Sequence, residues 1–276
     1  MSIGVRLTRR SIAIRVALLA QLSIVGLAAV PAATPPLQGQ LELSQASGDS
    51  LRHVIDRALI SNADRDYDRA LSWLDSELTR RPTDAVLLHY RGFVLYRKAS
   101  QLLSTVKNDK GAKTLFEQAD RALEQSAAGL AWPETLALRS AVTGQLIGFG
   151  GALTGMRLGP RAARLLDEAM AMGPENPRVW MLRGVSELYK PRLMGGGADK
   201  AARSLERALT LFPSDAPVAP APWWGYAETY GWLGQMYAKQ GKTEQARAAY
   251  ARALQLQPGN SWVSDLLLPS LDRPAR

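Results

Sequence analysis

Residues 230–258, YGWLGQMYAKQGKTEQARAAYARALQLQP, decide the fold of this chain. Their apolar residues recur at helical spacing on either side of Gly241, which predicts two short amphipathic helices joined at that glycine. Pro258 ends the second helix, because proline has no N–H to donate and its ring clashes with the preceding turn. Two helices this short bury too little surface by themselves and need stacked neighbours. The stretch therefore predicts an all-α repeat array.

This pattern resembles the tetratricopeptide repeat (TPR) family. The residues that match the family's aromatic, leucine, glycine, tyrosine, alanine and proline positions are Tyr230, Leu233, Gly234, Tyr237, Ala246, Tyr250, Ala253 and Pro258. The resemblance implies a right-handed superhelical array of about five helical hairpins, with a C-terminal cap. It also implies a concave surface, lined by the first helix of each hairpin, that binds a protein or peptide.

Weaker copies of the repeat precede this stretch. Residues 51–84 form a first unit, and the second unit begins at residue 85. The second helix of that unit has two registers that the sequence leaves open: one through Ala112, Phe116 and Ala119, the other through Ala119, Leu123 and Ala127. A third, uninterrupted unit is expected at 143–176, with Gly150 at the close-packing position. Its many glycines favour closely packed backbones, a bent helix or a ligand against bare backbone.

The fourth unit contains an insertion. From Gly184 to Pro213 there are 29 positions, whereas Gly234 and Pro258 of the fifth unit are 24 apart. Pro191 and the glycines at 195–197 place the five extra residues in the turn between the two helices. This turn resembles the Pro-x3-Gly-Gly turn of certain exported bacterial TPR proteins, including the T component of some TRAP transporters. That resemblance implies a periplasmic partner or ligand role.

A proline-rich break at 214–228 separates the fourth unit from the fifth. Its prolines favour an extended path. Trp223, Trp224 and Tyr226 either pack onto the fifth hairpin and seal the array, or some of them line a binding groove. A short capping helix that contains Trp262 and ends at Pro269 is expected after the fifth unit.

The N-terminal segment has the pattern of an export signal. Arg6, Arg9, Arg10 and Arg15 precede an apolar run at 16–30, and small residues follow that run. The run is short for a membrane span, although an uncleaved anchor stays an alternative. We expect a signal peptide at 1–32, a flexible linker at 33–50, the repeat domain at 51–268 and a disordered tail at 269–276. The mature protein is then periplasmic or secreted, with no integral membrane span.

Composition excludes several functions. The chain has 276 residues, a net charge of +9 and no cysteine, which excludes disulfides, thiolate metal sites and cysteine nucleophiles. Basic residues are mixed with acidic ones and form no stripe, so no nucleic-acid partner is expected. The two histidines, His53 and His89, lie near no second metal ligand, and no catalytic motif occurs. We expect no metal, no cofactor and no enzymatic activity.

These features predict a non-enzymatic, exported TPR scaffold that binds another protein or a peptide segment in the bacterial envelope. The alternative is a periplasmic ligand-holding component associated with a transporter, in which the region of Trp223 and Trp224 and the glycine-rich third unit line a pocket. The residues that we expect to bind are His89, Tyr96, Arg97, Tyr189, Trp223, Trp224, Gln235 and Lys239.

Overall fold

The computed structural model describes residues 45–106 and 108–272. Within these ranges the chain is helical and contains no β-strand, which confirms the predicted all-α class. The main helices are α1 (Gln45–Ser61), α2 (Asp64–Arg80), α3 (Ala85–Gln101), α4 (Asp109–Gly129), α5 (Pro133–Gly148), α6 (Ala152–Met172), α7 (Pro177–Tyr189), α8 (Ala198–Leu211), α9 (Tyr226–Lys239) and α10 (Thr243–Leu256).

Consecutive helices pack as five hairpins, from α1/α2 to α9/α10. Short turns between neighbours force them to run antiparallel. The first helices of the hairpins also touch one another, α5 lying against α7 and more lightly against α3, and α7 against α9. The hairpins therefore form the stacked superhelical array that the sequence predicts.

Glycine permits the closest contact inside a hairpin. A Cβ on Gly234 would lie only 2.3 Å from Cε1 of Tyr250, so the tyrosine ring of α10 rests directly on the backbone of α9. Two other hairpins have equivalent contacts. A Cβ on Gly184 would lie 2.7 Å from Cγ of Leu205, and a Cβ on Gly92 would lie 2.5 Å from Cγ of Leu123. These three contacts give each hairpin the same internal register.

The contact at Gly92 selects one of the two registers of the second unit. A Cβ added to Gly92 would face Leu123 and the carbonyl oxygen of Ala119. One turn further, Ser126 is buried and its Oγ donates a hydrogen bond to the carbonyl of Ala85 at 2.7 Å. The register through Ala119 and Leu123 is therefore the one adopted, although Ser126 takes the small-residue position expected at Ala127.

The expected third unit at 143–176 is wrong. Helix α5 ends at Gly148 and α6 begins at Ala152, so Gly150 lies in the turn between them. Ser140 takes the close-packing position instead, and its Oγ donates to the carbonyl of Ala162 at 2.7 Å. A Cβ on Gly148 would meet nothing within 4 Å, so these glycines do not pack backbones together. The glycines instead mark the end of α5, because each glycine in a helix costs about 1 kcal/mol relative to alanine.

The insertion of the fourth unit lies between α7 and α8, as predicted. Each of its three glycines is required. Gly195 and Gly197 have φ angles of 88° and 125°, which side-chain-bearing residues rarely adopt. A Cβ on Gly196 would lie 1.9 Å from the carbonyl oxygen of Lys190. The glycines therefore fold the extra residues into a tight turn.

The second to fifth hairpins differ in the length of chain between their paired close-packing positions. These positions are 27 residues apart in the second unit (Gly92 and Ala119) and 22 apart in the third (Ser140 and Ala162). They are 17 apart in the fourth unit (Gly184 and Ala201) and 12 apart in the fifth (Gly234 and Ala246). In the second and third units the extra residues lengthen the second helix, because α4 and α6 have 21 residues each whereas α8 and α10 have 14. These hairpins consequently reach further at one edge of the array.

Residues 215–225, which we call the strap, connect α8 to α9 by way of the first two units. The hydroxyl of Tyr90 on α3 donates to the carbonyl of Pro220 at 2.6 Å. The indole N–H of Trp223 donates to Oδ1 of Asp56 on α1 at 2.7 Å. These bonds join residues 130 and 167 positions apart in the chain. The strap therefore ties the fourth and fifth hairpins to the first two.

The strap also adds apolar contacts. Trp224 is buried and its ring stacks on Phe93 of α3, with centroids 4.5 Å apart. Tyr226 stacks on Tyr230 within the fifth hairpin. Of the two alternatives for these three rings, packing onto the fifth hairpin holds for Tyr226, whereas Trp223 and Trp224 pack against α1 and α3. One continuous core extends from Leu51 to α9 and includes Trp224.

The segment boundaries differ in detail from the prediction. Helix α1 starts at Gln45, so residues 45–50 are helical rather than part of a linker. A π-helical turn at Trp262–Leu267 covers α10 and supplies the predicted cap. Leu268–Ser270 continues it as a helical turn, so residues 269–270 are ordered rather than tail. The proposed signal peptide at 1–32, linker residues 33–44 and residues 273–276 lie outside the described residues.

The close contact in the fifth hairpin can be tested by overpacking. Ala253 is fully buried against α9 and the cap, whereas Ala251 on the same helix is exposed. We expect Ala253→Leu to lower the free energy of unfolding by about 1–3 kcal/mol, because added methylenes strain a packed core. Ala251→Leu is the matched control and should leave it nearly unchanged. Urea unfolding measures both, and equal stabilities for the two variants would contradict the assigned register.

Candidate functional site

Three aromatic rings, Tyr189, Trp232 and Trp262, form a row from the end of α7 to the C-terminal cap. The centroids of Tyr189 and Trp232 are 6.2 Å apart, and those of Trp232 and Trp262 are 5.0 Å apart. Tyr189 is 54% exposed and both tryptophans are half-buried. Gly231 makes room for the row, because a Cβ there would lie 2.5 Å from Cζ3 of Trp262. We call these three residues the aromatic strip.

A basic residue lies at each end of the aromatic strip. Nζ of Lys239 is 4.8 Å from the centroid of the Tyr189 ring, and Cζ of Arg97 is 5.8 Å from that of Trp262. Both positions favour cation–π attraction. Lys239 is exposed and forms no ion pair with another described residue. The strip therefore carries an available positive charge at the Tyr189 end.

The charge of Arg97 is already neutralised. Its Nη1 lies 2.7 Å from Oε1 of Glu228, and both side chains are buried, so this ion pair joins α3 to α9. Although burial favours the neutral guanidine, Glu228 and then the Tyr67 and Tyr96 hydroxyls outweigh it and raise the pKa of Arg97. Arg97 consequently holds the inner helices together beneath the strip.

The eight residues predicted to bind lie in three different environments. Those that border the aromatic strip and remain accessible are Tyr189, Gln235 and Lys239. Those that are buried in the core are His89, Tyr96 and Trp224. Those whose polar groups already have a partner in the chain are Arg97 and Trp223. The structure thus brings the first group to the open surface of the strip, whereas Trp223 and Trp224 line a small groove beside the strap. The role of all eight residues in binding stays a prediction.

Sequence reasoning missed the central residue of the strip. Trp232 lies three positions before Gln235 on α9, so the two share a helix face. Because Gln235 was expected on the concave surface, the same spacing could have identified Trp232. Trp262 was recognised only as part of the cap, since no helix periodicity links it to α9. Its contact with Trp232 depends on how the cap folds back.

His89 belongs to the core. Its Nδ1 lies 2.8 Å from Oγ1 of Thr135, and its ring meets those of Tyr90 and Trp132 edge-on. Complete burial, aided by the charge of Arg178, lowers the pKa of His89 to about 3. The imidazole is therefore neutral near neutral pH and closed to a ligand from solvent.

A groove of about 680 Å³ lies between α6, α7, α8 and the turn of the fourth unit at residues 190–197, which we call the fourth turn. Leu166, Met170 and Trp180 give it an apolar lining, and the exposed Met194 lies at its rim. Its basic side chains outnumber its two acidic ones, Asp167 and Glu187, and they are Arg183, Lys190, Lys200, Arg203 and Arg207. Glu187 is paired with Arg183 at 3.1 Å, whereas Arg203 has no ion pair within the described part of the chain. The groove is consequently basic.

A smaller groove of about 280 Å³ runs beside the strap and is lined in part by Trp223 and Trp224. Within residues 45–106 and 108–272, no three histidine, aspartate or glutamate side chains are placed to share a metal ion. In the same ranges, no helix has the length and apolar character needed to span a membrane. The accessible candidates for binding include the aromatic strip, these two grooves and a further groove of about 690 Å³ along α1, which is lined in part by Arg52, His53 and Asp56.

Comparison with known proteins agrees with this architecture. The tetratricopeptide repeat family matches residues 227–260. The HusA haemophore from Porphyromonas gingivalis is 23% identical, with a TM-score of 0.58 over 72% of this chain and 96% of that one. TTC0263, a thermophilic TPR protein of Thermus thermophilus, is 21% identical, with a TM-score of 0.54 over 81% and 97%. No curated protein matches the chain in sequence. At these identities the likeness establishes the fold alone.

The burial of His89 makes stability depend on pH. The unfolded chain takes up a proton at the ordinary histidine pKa of 6.5, but the folded chain does so only near 3. Stability should therefore fall as the pH drops from 6.5 towards 3, by up to about 1.4 kcal/mol per pH unit. His89→Gln should flatten this dependence in urea unfolding, whereas the exposed control His53→Gln should keep it. Identical pH profiles for His89→Gln and the wild type would contradict a buried neutral imidazole.

Proposed function

We propose that this protein is a TPR scaffold that binds an extended segment of another protein. Residues 227–260 match the tetratricopeptide repeat family, and the rest of the described chain stacks as similar hairpins. The observation that carries the proposal is the aromatic strip. It leaves Tyr189, Trp232 and Trp262 accessible in one row, with Lys239 at one end. Rigid aromatic rings bury much area at little entropic cost, as binding surfaces require.

The strap limits the part of the inner surface on which such a segment can bind. It covers the inner side of α3 through Tyr90 and Phe93, so this part of the surface is occupied by the chain itself. The aromatic strip lies beyond the strap, on α7, α9 and the cap. A bound segment would place apolar side chains on the rings and an acidic side chain at Lys239. The proposed partner is therefore an extended peptide segment with apolar and acidic residues.

We propose that this binding takes place outside the cytoplasm, in the bacterial envelope. The support is the N-terminal sequence, in which arginines precede an apolar run at 16–30. Alkaline phosphatase fused after Arg276 reports export, because it folds to an active enzyme only where disulfides form. We expect an active fusion, and an inactive fusion would contradict the proposed location.

A second candidate function is suggested by the basic groove. The groove combines Trp180 and Met170 with the unpaired Arg203, as a site for a small anionic ligand would. Such a site would suit a ligand-holding component associated with a transporter. It would replace the pocket expected at Trp223 and Trp224, since Trp224 is buried and the space beside the strap is small.

The scaffold proposal predicts that Trp232, and not Trp180, contributes to the affinity for a peptide. Extended peptides selected from a displayed library should bind with an affinity that Trp232→Ala lowers by about tenfold or more, because exposed aromatic anchors carry much of such binding energy. Trp180→Ala, on the groove, is the matched control and should bind as the wild type does. Calorimetric titration measures both. Selected peptides that tolerate Trp232→Ala would contradict binding along the strip.

The ligand-holding alternative predicts the reverse pattern. A small anion from a screened panel should raise the melting temperature of the wild type and of Trp232→Ala. It should leave that of Arg203→Gln unchanged, because the unpaired guanidinium is lost. If no anion in the panel shifts the wild type, the alternative fails while the scaffold proposal stands.

A further inference from the structure

Large apolar side chains are exposed at two turns of the array. Leu153 and Met156 lie at the start of α6, and Leu193 and Met194 lie in the fourth turn. Their exposed fractions are 81%, 73%, 102% and 71%. We call these four residues the apolar tips. Soluble surfaces rarely group such residues without an interaction that covers them.

The topology places the apolar tips on one edge. Helices α5 and α7 lie side by side, and each is followed by an antiparallel partner. Turns 149–151 and 190–197 therefore lie at the same end of neighbouring hairpins. Both hairpins are longer here than the fifth one, because their extra residues extend α6 and the fourth turn. The apolar tips consequently protrude.

Unpaired basic residues surround the apolar tips. Arg157, Lys190, Arg192 and Lys200 lie within a few residues of them, and none forms an ion pair with another described residue. The sequence from 135 to 166 contains no aspartate or glutamate at all. Asp199 is the acidic side chain among these residues, and Gln240 donates to it. The protruding edge therefore combines apolar ends with uncompensated positive charge.

We propose that this edge binds the surface of an anionic lipid bilayer, with the apolar tips inserted at the level of the headgroups. A convex projection offers little matching surface to a folded protein, but a fluid lipid interface adapts to it. Apolar insertion and attraction of Lys and Arg to anionic headgroups are the two contributions that hold interfacial proteins. The long basic side chains can extend along the interface while the tips enter it.

The aromatic strip and the apolar tips share no side chain, although Tyr189 directly precedes the turn at 190–197. The strip runs along the first helices from α7 to the cap, whereas the apolar tips lie at the turns of the third and fourth units. The proposed lipid contact and the proposed peptide contact thus use different side chains. Each can be tested without disturbing the other.

The absence of cysteine allows a position-specific test in the full-length chain. Leu193→Cys, labelled with an environment-sensitive fluorophore, reports whether the fourth turn enters lipid. Vesicles of phosphatidylglycerol and phosphatidylcholine should increase and blue-shift its fluorescence, and pure phosphatidylcholine should do so far less. Met172→Cys, exposed at the opposite end of α6, is the matched control and should not respond. Because the signal arises at the labelled position, membrane binding by residues 1–44 cannot produce it.

A flotation assay with the same vesicles measures what the apolar tips contribute. The double variant Leu193→Ser, Met194→Ser should bind anionic vesicles about tenfold more weakly than the wild type, because it lacks the inserted side chains. Met172→Ser is the control, and unchanged melting temperatures would show that both variants fold. An unresponsive label at position 193 overturns the proposal. So does a blue shift that grows with protein concentration without vesicles, since the edge would then bind a second copy of the chain.

Discussion

The contact between the strap and the first two units is the interaction on which the rest of the structure depends. A repeat array held only by nearest-neighbour packing would leave α1 and α3 exposed on their inner side. Here the Trp223–Asp56 hydrogen bond and the Trp224–Phe93 stack cover that side. The buried Arg97–Glu228 pair adds a link between α3 and α9. The array is therefore closed on itself by contacts between residues far apart in sequence.

This closure determines which surfaces remain for binding. The strap occupies the inner side of α3 at Tyr90 and Phe93, which brings Trp224 into the core. His89 and Tyr96 are buried by other neighbours, Thr135 and Trp132 for the first and Phe116 for the second. The aromatic strip lies on α7, α9 and the cap, away from the part that the strap covers. At the edge, the extra residues of α6 and of the turn at 190–197 leave the third and fourth hairpins protruding with the apolar tips. Peptide binding and lipid contact are thus separate proposals for separate surfaces of one rigid framework.

The sequence predicted the fold where local spacing controls it. Gly234 with Tyr250, and the glycine turn at 195–197, were recognisable because their partners lie at fixed short spacings. The third unit was misread because Ser140 replaces the diagnostic glycine, while Gly150 imitates it in a turn. A frame based on residue identity cannot distinguish these two cases.

The candidate site was less predictable, because it depends on contacts between distant segments. Nothing local to Trp223 indicates that it reaches Asp56, 167 residues earlier. Without that contact, the residues of α3 look like an open binding surface. Tyr189, Gln235 and Lys239 were predicted to bind because the repeat frame assigns first-helix residues to the inner side, and that role stays a prediction. The frame omitted Trp262, which joins the strip only through the folded cap.

The most direct test of closure is hydrogen exchange measured along the chain, in the wild type and in Trp224→Ala. If the strap joins the two ends, amides of α1, α3 and α9 should share one free energy of opening in the wild type. Trp224→Ala should then lower that free energy in all three helices. An open array would behave differently, with α1 exchanging much faster than α9 in the wild type and the substitution affecting only helices next to residue 224. That second result would contradict the account.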